Sequence, residues 1–296
     1  MNVLITGVNG FIGQHLSRLL ATKHNVYGVA RTLVSARAQT AIKLIYADFL
    51  NPDFFDLLPR DIDCVIHLAQ SQQYRDFPGG ADDMRRINID ATCNLLEWAR
   101  KTGVKQFVFT STANVYGNSA ELLTELHATK PDSFYGASKL AAEHLARQYQ
   151  TYFQVDILRL FTVYGPGQKG MLIPNIIERI TTGKPVTLAK GKGLYLTPIY
   201  IDDVVAVIDS LIDISSGSVV RLFNVCGDKV SSLADIVGVL ESAVGIKAHI
   251  EFINADVPCF LGANNALKYC LGGAEFTSLE NGLEITFNDY STGRRA

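Results

Sequence analysis

The first strongly patterned stretch of this chain is a short apolar segment, "NVLIT", that leads into a turn with the spacing G-x-x-G-x-x-G. The segment has the character of a buried strand, and a helical pattern follows the turn. In such a unit Gly7 permits the tight turn, Gly10 lets a pyrophosphate approach the backbone, and Gly13 allows close helix–strand packing. Such glycines also occur in simple turns, but the flanking strand and helix favour a dinucleotide site that includes Phe11 and Ile12.

Short apolar runs alternate with helical patterns along the first part of the chain, as expected for parallel strands that are buried on both faces. The alternation predicts an α/β fold with a doubly wound parallel sheet, the Rossmann arrangement. Six strands are predicted, at residues 2–6, 25–30, 43–47, 64–69, 106–111 and 155–160.

The strand–helix rhythm becomes less regular after "YGPGQKG", which suggests that a second domain begins there. We predict a dinucleotide-binding domain over residues 1–164, to which residues 199–226 return. Residues 165–198 and 227–296 are predicted to form a smaller mixed α/β domain that binds the substrate.

Composition excludes several classes of protein. The 296 residues carry a formal net charge of −2, which gives no reason to expect nucleic acid or an anionic membrane as a partner. The apolar runs are too short to span a bilayer, and the chain begins without a signal-peptide pattern. The five cysteines form no C-x-x-C pair and no cluster with histidine, so we expect free thiols, no metal site and a cytoplasmic location.

An arginine occupies the position at which nicotinamide-binding folds usually carry an acid. Arg31 follows the second predicted strand, where a carboxylate would bind the 2′-hydroxyl of NAD. An arginine there offers a planar donor to the 2′-phosphate of NADP, and a solvated loop arginine is the alternative. We therefore expect NADP as the cofactor, with NAD possible. After the third strand, Asp48 and Phe49 are predicted to lie near the adenine, with a turn-forming role as the alternative for Asp48.

Tyr135 and Lys139 lie four residues apart on a predicted helix and therefore on one face of it. A nearby cation lowers the pKa of a tyrosine hydroxyl, and Lys139 is predicted to supply that charge. Thr112 follows the fifth strand, at the edge of the sheet where doubly wound folds bind ligands. We predict that Thr112 binds the reacting oxygen of the substrate, that Tyr135 exchanges its proton, and that Lys139 holds the nicotinamide ribose during hydride transfer.

Longer segments in a fixed order extend this interpretation to nearly the whole chain. With them the chain resembles the extended short-chain dehydrogenases/reductases of the NAD-dependent epimerase/dehydratase family. The resemblance implies an enzyme that modifies a nucleotide-activated sugar, with Thr112, Tyr135 and Lys139 as its catalytic residues. The segments are "TGVNGFIG", "VIHLA", "NIDATCNLLEWARKTGVKQFVFTSTANVYG", "FYGASKLAAE", "LRLFTVYGPGQ" and "PIYIDDVV".

The same resemblance implies roles for residues outside the catalytic triad. His67, Leu68 and Ala69 are expected to line the cofactor, and Asn88 is expected to support the architecture of the active site. A homodimer is the family-level expectation for the assembly, and a nucleotide sugar is the expected substrate.

Three departures from the family pattern bear on the reaction. Ala113 and Asn114 follow Thr112, whereas sugar-nucleotide 4,6-dehydratases resemble one another in having Asp and Glu there, so water elimination is not expected. Thr162 stands where the family often has an asparagine that touches the substrate diphosphate. Leu196 stands where it often has an arginine. Asn114 and Thr162 are nevertheless predicted to contact the substrate.

These residues predict hydride transfer at C4 of a nucleotide-activated hexose. Because Arg31 favours NADP, which is exchanged after each turnover, a 4-keto-sugar reductase is the preferred interpretation. A nucleotide-sugar 4-epimerase with bound NAD uses the same catalytic residues and is the alternative. A non-catalytic NAD(P)-sensing binding protein is a second alternative.

Overall fold

The structure is a computed structural model that describes residues 1–32, 41–214, 217, 219–257 and 259–293. The strands in this part of the chain are β1 (Asn2–Thr6), β2 (Asn25–Ala30), β3 (Lys43–Tyr46), β4 (Cys64–His67), β5 (Gln106–Thr112), β6 (Gln154–Leu160), β7 (Val163–Tyr164), β8 (Val186–Ala189), β9 (Tyr195–Leu196), β10 (Ile199–Tyr200), β11 (Val220–Val225), β12 (Ser231–Ser232) and β13 (Ile250–Ile253).

The α-helices are α1 (Phe11–Leu20), α2 (Ala81–Met84), α3 (Ala91–Thr102), α4 (Phe134–Arg147), α5 (Leu172–Thr182), α6 (Ile201–Asp213), α7 (Leu233–Val244), α8 (Asn265–Cys270) and α9 (Leu279–Gly293). Turns of 3₁₀-helix cover Pro52–Leu57 and Ala113–Val115, and a π-helical segment, Arg85–Asp90, leads into α3. Among the described helices, none combines the length and the apolar character needed to cross a bilayer.

The largest sheet has seven strands in the order β11-β6-β5-β4-β1-β2-β3. The pairs β2–β3, β1–β2, β1–β4 and β4–β5 are parallel. Successive strands proceed in one direction from β1 to β3 and in the other from β4, so the sheet is doubly wound. In such sheets ligands bind where the direction changes, which here is at the carboxyl ends of β1 and β4. The predicted fold class is confirmed, and the six predicted strands coincide with β1–β6 to within two residues at each end.

Burial explains why these strands read as continuous apolar runs. Every residue of β5 is buried, and Val3, Leu4 and Ile5 of β1 have no exposed surface. The apolar side of α3 contributes Leu95 and Leu96 to the same core. The helix then ends at Gly103, whose left-handed backbone (φ +78°) is strained for residues with a side chain.

The chain divides into two compact units. The first contains Met1–Gly117, Ala128–Arg159 and Val205–Phe223, and it carries β1–β5 and α1–α4. The second contains Asn118–His127, Leu160–Val204 and Asn224–Ala296, and it carries the two-stranded sheets β7–β10, β9–β12 and β8–β13. The domain boundaries predicted from the sequence concern regions that fold independently, and they stay a prediction.

Candidate active site

The glycine turn after β1 is shaped by contacts that leave no space for side chains. Gly7 has a left-handed backbone (φ +71°), and a Cβ atom there would lie 2.9 Å from the backbone nitrogen of Ala69. A Cβ atom on Gly13 would lie 2.3 Å from the carbonyl oxygen of Gly7. Gly10 donates its N–H to the same carbonyl at 2.9 Å. The turn therefore holds β1, α1 and the segment after β4 in close contact.

The N-terminus of α1 has the properties of an anion site. Gly10 is its N-cap residue, and within the described structure no side chain caps the helix and no acid lies in its first turn. The N–H groups at the start of a helix lack intrahelical partners and lie at the positive end of the helix dipole. Phe11, Ile12 and Gly13 supply these groups. Together with the close-packed turn, they fit the pyrophosphate of a dinucleotide.

Behind the turn, a buried histidine links β1, β4 and α3. Thr92 donates its hydroxyl proton to the carbonyl of Asn88 at 2.8 Å, so it accepts from Nε2–H of His67 at 2.9 Å. Nδ1 of His67 then accepts from the Thr6 hydroxyl at 2.7 Å, and Thr6 Oγ1 accepts the N–H of Ala69 at 3.3 Å. Burial, with a smaller contribution from the charge of Lys139, lowers the pKa of His67 to about 3. The neutral imidazole therefore holds the segment that follows β4 against the glycine turn.

Leu68 and Ala69 follow this histidine and lie against the glycine turn, and their contact with the cofactor stays a prediction. The carbonyl carbon of Leu68 would be 3.1 Å from a Cβ atom on Gly7, and the backbone nitrogen of Ala69 is closer still. The structure therefore brings these two residues to the glycine turn, at the carboxyl end of β4.

The residues predicted for the adenosine end of the site have different environments. Arg31 directly follows β2 and is exposed. Asp48 is also exposed, and its Oδ1 accepts the N–H of Leu50 at 2.9 Å, which is the turn-forming role. The ring of Phe49 packs on that of Phe54, with their centroids 4.7 Å apart.

The three predicted catalytic residues lie in the first unit, at the end of β5 and the start of α4. Ser133 caps α4 by accepting the N–H of Gly136 at 3.1 Å, which places Tyr135 in the first turn. Thr112 is a neighbour of the Tyr135 hydroxyl and lowers its pKa. The Tyr135 hydroxyl donates to Oε1 of Gln70 at 2.7 Å. Lys139 follows one turn along the helix, as the four-residue spacing predicts.

Lys139 is buried without a carboxylate partner. Its side chain is 1% exposed, Nζ lies 4.2 Å from the centroid of the Phe109 ring, and no ion pair among the described residues includes it. Burial lowers the pKa of this amine to about 7, against the raising effect of Glu143. A buried amine that titrates near neutral pH is typical of functional sites.

The pKa of Tyr135 differs from the sequence-based expectation. Burial raises it well above its usual range, Thr112 lowers it, and Tyr74 raises it further. Lys139 was predicted to lower the pKa of Tyr135. It does not supply this lowering here, because its ammonium group lies over the ring of Phe109.

Asn88 connects the segment after β4 to α4. Its Oδ1 accepts the N–H of Ser71 at 2.8 Å, and its Nδ2 donates to the Ser138 hydroxyl at 2.9 Å. Ser138 in turn donates to the carbonyl of Tyr135 at 2.8 Å. Asn88 lies in the π-helical segment, a distortion that is frequent at functional sites. It thus positions the backbone of Tyr135.

Besides Thr112, two residues are predicted to contact the substrate, and they lie in different units. Asn114 is half-buried in the first unit, and its N–H donates to Thr112 Oγ1 at 3.3 Å. Thr162 is half-buried in the second unit, and its carbonyl accepts the N–H of Ile199 at 2.9 Å. Leu196, at the position of the family's arginine, is 2% exposed and apolar.

Gln70 is the residue at this site that sequence reasoning missed. It belongs to no motif and lies 65 residues from the tyrosine that it binds. Its position directly after "VIHLA", at the carboxyl end of a central strand, is the signal that could have pointed to it.

Comparisons with known proteins agree with this geometry. Residues 3–227 match the model of the NAD dependent epimerase/dehydratase family. The chain is 31% identical over 304 residues to an uncharacterized UDP-glucose epimerase of Bacillus subtilis, with 96% of each chain covered. It is 31% identical over 310 residues to a UDP-glucuronate 4-epimerase of Thermodesulfobacterium geofontis, with 96% of this chain and 94% of the relative covered.

A solved structure resembles the fold over its whole length. The UDP-glucuronic acid 4-epimerase of Bacillus cereus, in complex with UDP-glucuronic acid and NAD, superposes with a TM-score of 0.89 at 28% identity. The match covers 99% of both chains. A family model that matches three quarters of the chain, and relatives that match nearly all of it, agree with the glycine turn, the doubly wound sheet and the Thr–Tyr–Lys group. This chain therefore belongs to the NAD dependent epimerase/dehydratase family.

Proposed function

We propose that this protein is an NAD-dependent 4-epimerase that acts on a UDP-activated sugar. The observation that carries the proposal is the position of Tyr135 in the first turn of α4, one helical turn from the buried amine of Lys139. The same unit holds the glycine turn and the α1 N-terminus, whose N–H groups fit a pyrophosphate.

The catalytic residues would act on the proton and on the orientation of the reactants. NAD, held by the glycine turn, the N-terminus of α1 and Lys139, would supply a reversible hydride acceptor for C4 of the sugar. Tyr135 accepts the proton of the C4 hydroxyl as the C4–H bond breaks, and it gives a proton back to the C4 oxygen. Thr112 orients that oxygen, and Lys139 binds the ribose hydroxyls next to the nicotinamide. No net oxidation or reduction results.

Positive charge near Tyr135 is essential to this role, because burial raises the pKa of its hydroxyl. A protonated Lys139 and the positive ring of the oxidised cofactor are the two sources that the site would offer. The pKa of Lys139, about 7, lies where hydrogen bonding to ribose hydroxyls can shift the amine to its protonated form.

The comparisons favour the epimerase over the 4-keto-sugar reductase that Arg31 led us to prefer. The relatives quoted above are named as epimerases, and the solved relative holds NAD. NADP as the main cofactor is not supported, and the exposed Arg31 is compatible with a solvated side chain that leaves NAD binding unaffected. Ala113 and Asn114 leave no acid after Thr112 for a dehydratase reaction.

UDP-glucuronate is the first substrate to test, because one of these relatives is named for it and the solved relative binds it. UDP-glucose is the second, because another relative is named as a UDP-glucose epimerase. A homodimer and a cytoplasmic location stay predictions from the sequence.

The direct test is product analysis by NMR with purified protein and each UDP-sugar. We expect the C4 epimer to form to equilibrium without added NADPH. Tyr135→Phe should lower kcat by roughly a hundredfold to ten-thousandfold, because it removes the proton acceptor. Tyr149→Phe, just after the end of the same helix and packed against the core, should leave kcat within about twofold. Stoichiometric NADPH consumption with a 4-keto sugar nucleotide, and no epimer, would contradict the proposal.

A further inference from the structure

The hydroxyl of Tyr135 has a partner outside the predicted triad. It donates to Oε1 of Gln70 at 2.7 Å, the usual distance for an O–H···O hydrogen bond. The phenol has one proton, and it donates that proton to Gln70. Gln70 is therefore in direct contact with the oxygen atom that gains and loses the proton in the proposed reaction.

The backbone on both sides of Gln70 is fixed. On one side, the N–H of Ala69 donates to Thr6 Oγ1 at 3.3 Å, next to the glycine turn. On the other, the N–H of Ser71 donates to Oδ1 of the buried Asn88 at 2.8 Å. Since Asn88 is also connected to α4 through Ser138, the amide of Gln70 and the ring of Tyr135 are held by one network.

We propose that Gln70 is a positioning residue for Tyr135 that binds its phenolic oxygen in both protonation states. A primary amide carries an acceptor oxygen and a donor nitrogen at almost the same place. Oε1 accepts from the neutral phenol, and a half-turn of the amide lets Nε2–H donate to the phenolate. The inference rests on the proposed function, in which Tyr135 alternates between these two forms.

The surroundings of Tyr135 supply no other side-chain amide among its identified contacts. Thr112 contacts the hydroxyl, and the ring of Tyr74 packs on that of Tyr135 with centroids 5.3 Å apart. Arg75 lies over the other ring, 5.0 Å from the centroid of Tyr74, and Lys139 has its Nζ over Phe109. A neutral amide can donate a hydrogen bond to the phenolate without adding a charge to a site that already contains Arg75 and Lys139.

Gln70→Glu tests this role because it keeps the acceptor and the length but removes the donor. A carboxylate that faces the phenolic oxygen disfavours the phenolate. In the NAD-loaded protein, we expect the titration of Tyr135 to move up by about one pH unit or more. The measurement is NMR of protein with ¹³Cζ-labelled tyrosine, in which the Tyr135 resonance is identified by its loss in Tyr135→Phe. Gln70 and Gln72 are both exposed, so Gln72→Glu, which places the same charge two residues away, is the matched control.

Gln70→Met keeps the side-chain bulk and removes both hydrogen-bonding functions. We expect kcat to fall by about tenfold with KM within about twofold, since one hydrogen bond to the reacting group is lost. The pH at which kcat is half-maximal should rise in Gln70→Glu relative to Gln72→Glu. A Tyr135 titration that is identical in wild type and Gln70→Glu would overturn the inference, as would a Gln70→Met variant with unchanged kcat.

The NMR titration separates this inference from the proposed function because it does not depend on turnover. If Tyr135→Phe retained full epimerase activity, the proposed function would fail, whereas the coupling between Gln70 and Tyr135 would still be measured.

Discussion

The first unit contains two buried cations, Lys139 and Arg159. Among the described residues, Arg159 is paired with a carboxylate and Lys139 is not. The two residues have nearly the same exposure, 1% for Lys139 and 3% for Arg159. Arg159 donates from Nε and NH2 to the carboxylate of Glu143, at 3.0 and 2.8 Å. Glu143 lies one turn after Lys139 on α4, yet its carboxylate binds the arginine and the hydroxyl of Ser111.

The difference separates a structural charge from a functional one. Burial alone would lower the pKa of Arg159, but the hydrogen bonds and the charge of Glu143 raise it, so the ion pair persists. Burial lowers the pKa of Lys139 to about 7, because the charge of Glu143, whose carboxylate is bonded to Arg159 and Ser111, offsets only part of the cost of burial. An unpaired buried amine lowers the stability of the protein. Its use in catalysis would explain why Lys139 is retained.

The largest expected effect is the loss of the paired cation. Arg159→Met should lower the free energy of unfolding by about 3–5 kcal/mol, because it leaves the Glu143 carboxylate buried and unpaired. Urea denaturation followed by circular dichroism measures this change. Arg159→Met combined with Glu143→Leu should recover most of the loss. A single variant that loses less than about 1 kcal/mol would remove the contrast between the two cations.

Replacing Lys139, the unpaired cation, should stabilise the protein. Lys139→Met should raise the free energy of unfolding by about 1–4 kcal/mol near pH 6, since a buried charge is replaced by an apolar side chain of similar length. It should also lower kcat by about a hundredfold through the loss of a preorganised donor. Parallel urea denaturation and turnover measurements check both effects. A destabilised Lys139→Met variant would show that the amine is structural.

The pH dependence of this gain follows from the direction of the shift. Between about pH 7 and 10.5 the unfolded chain holds a proton on Lys139 that the folded chain lacks, so wild-type stability rises with pH across this window. The advantage of Lys139→Met should therefore shrink between about pH 6 and pH 9. A constant advantage would mean that Lys139 is not buried in the folded protein.

Replacing the buried His67 should have a smaller effect on stability, and only at acidic pH. His67, between two threonine hydroxyls, has a pKa of about 3, whereas the unfolded side chain titrates near 6.5. As the pH falls through this window the unfolded chain gains a proton first, so the folding equilibrium should weaken by up to about tenfold per pH unit. His67→Gln should flatten this slope between about pH 4 and pH 6 in urea titrations. An equal slope in both proteins would place the acid sensitivity elsewhere.

The smallest effect is expected for an exposed cation. Arg31→Ala should change NAD affinity by less than about threefold, because an exposed charge is screened by solvent and salt. Calorimetric titration with NAD and with NADP measures both affinities. Tighter binding of NADP than NAD by the wild type, lost in Arg31→Ala, would restore the cofactor that the sequence led us to expect.

The sequence was most informative where one residue type satisfies a backbone constraint. The spacing of Gly7, Gly10 and Gly13 predicts the turn because a Cβ atom at Gly13 would overlap the carbonyl of Gly7. The continuous apolar runs predict buried parallel strands because a strand that is buried on both faces is apolar at nearly every position. The four-residue spacing correctly placed Tyr135 and Lys139 on adjacent turns of one helix.

Contacts between distant segments could not be predicted in this way. The bond between Tyr135 and Gln70 joins residues 65 positions apart, and that between Arg159 and Glu143 depends on how β6 packs against α4. The preference for NADP came from the identity of Arg31 alone, without knowledge of its exposure. The pKa of Tyr135 follows from burial and from where the Lys139 ammonium lies, neither of which the motif determines.

Retention of a deuterium label at C4 tests the central claim, that one carbon gives up a hydride and takes back the same one. The protein is incubated with UDP-glucuronate deuterated at C4, and with UDP-glucose labelled in the same way, and both epimers are analysed by NMR and mass spectrometry. We predict that the label stays at C4 in substrate and product alike, without NADPH being consumed. Loss of the label to solvent, or its appearance in an added pool of NADP(H), would contradict the account.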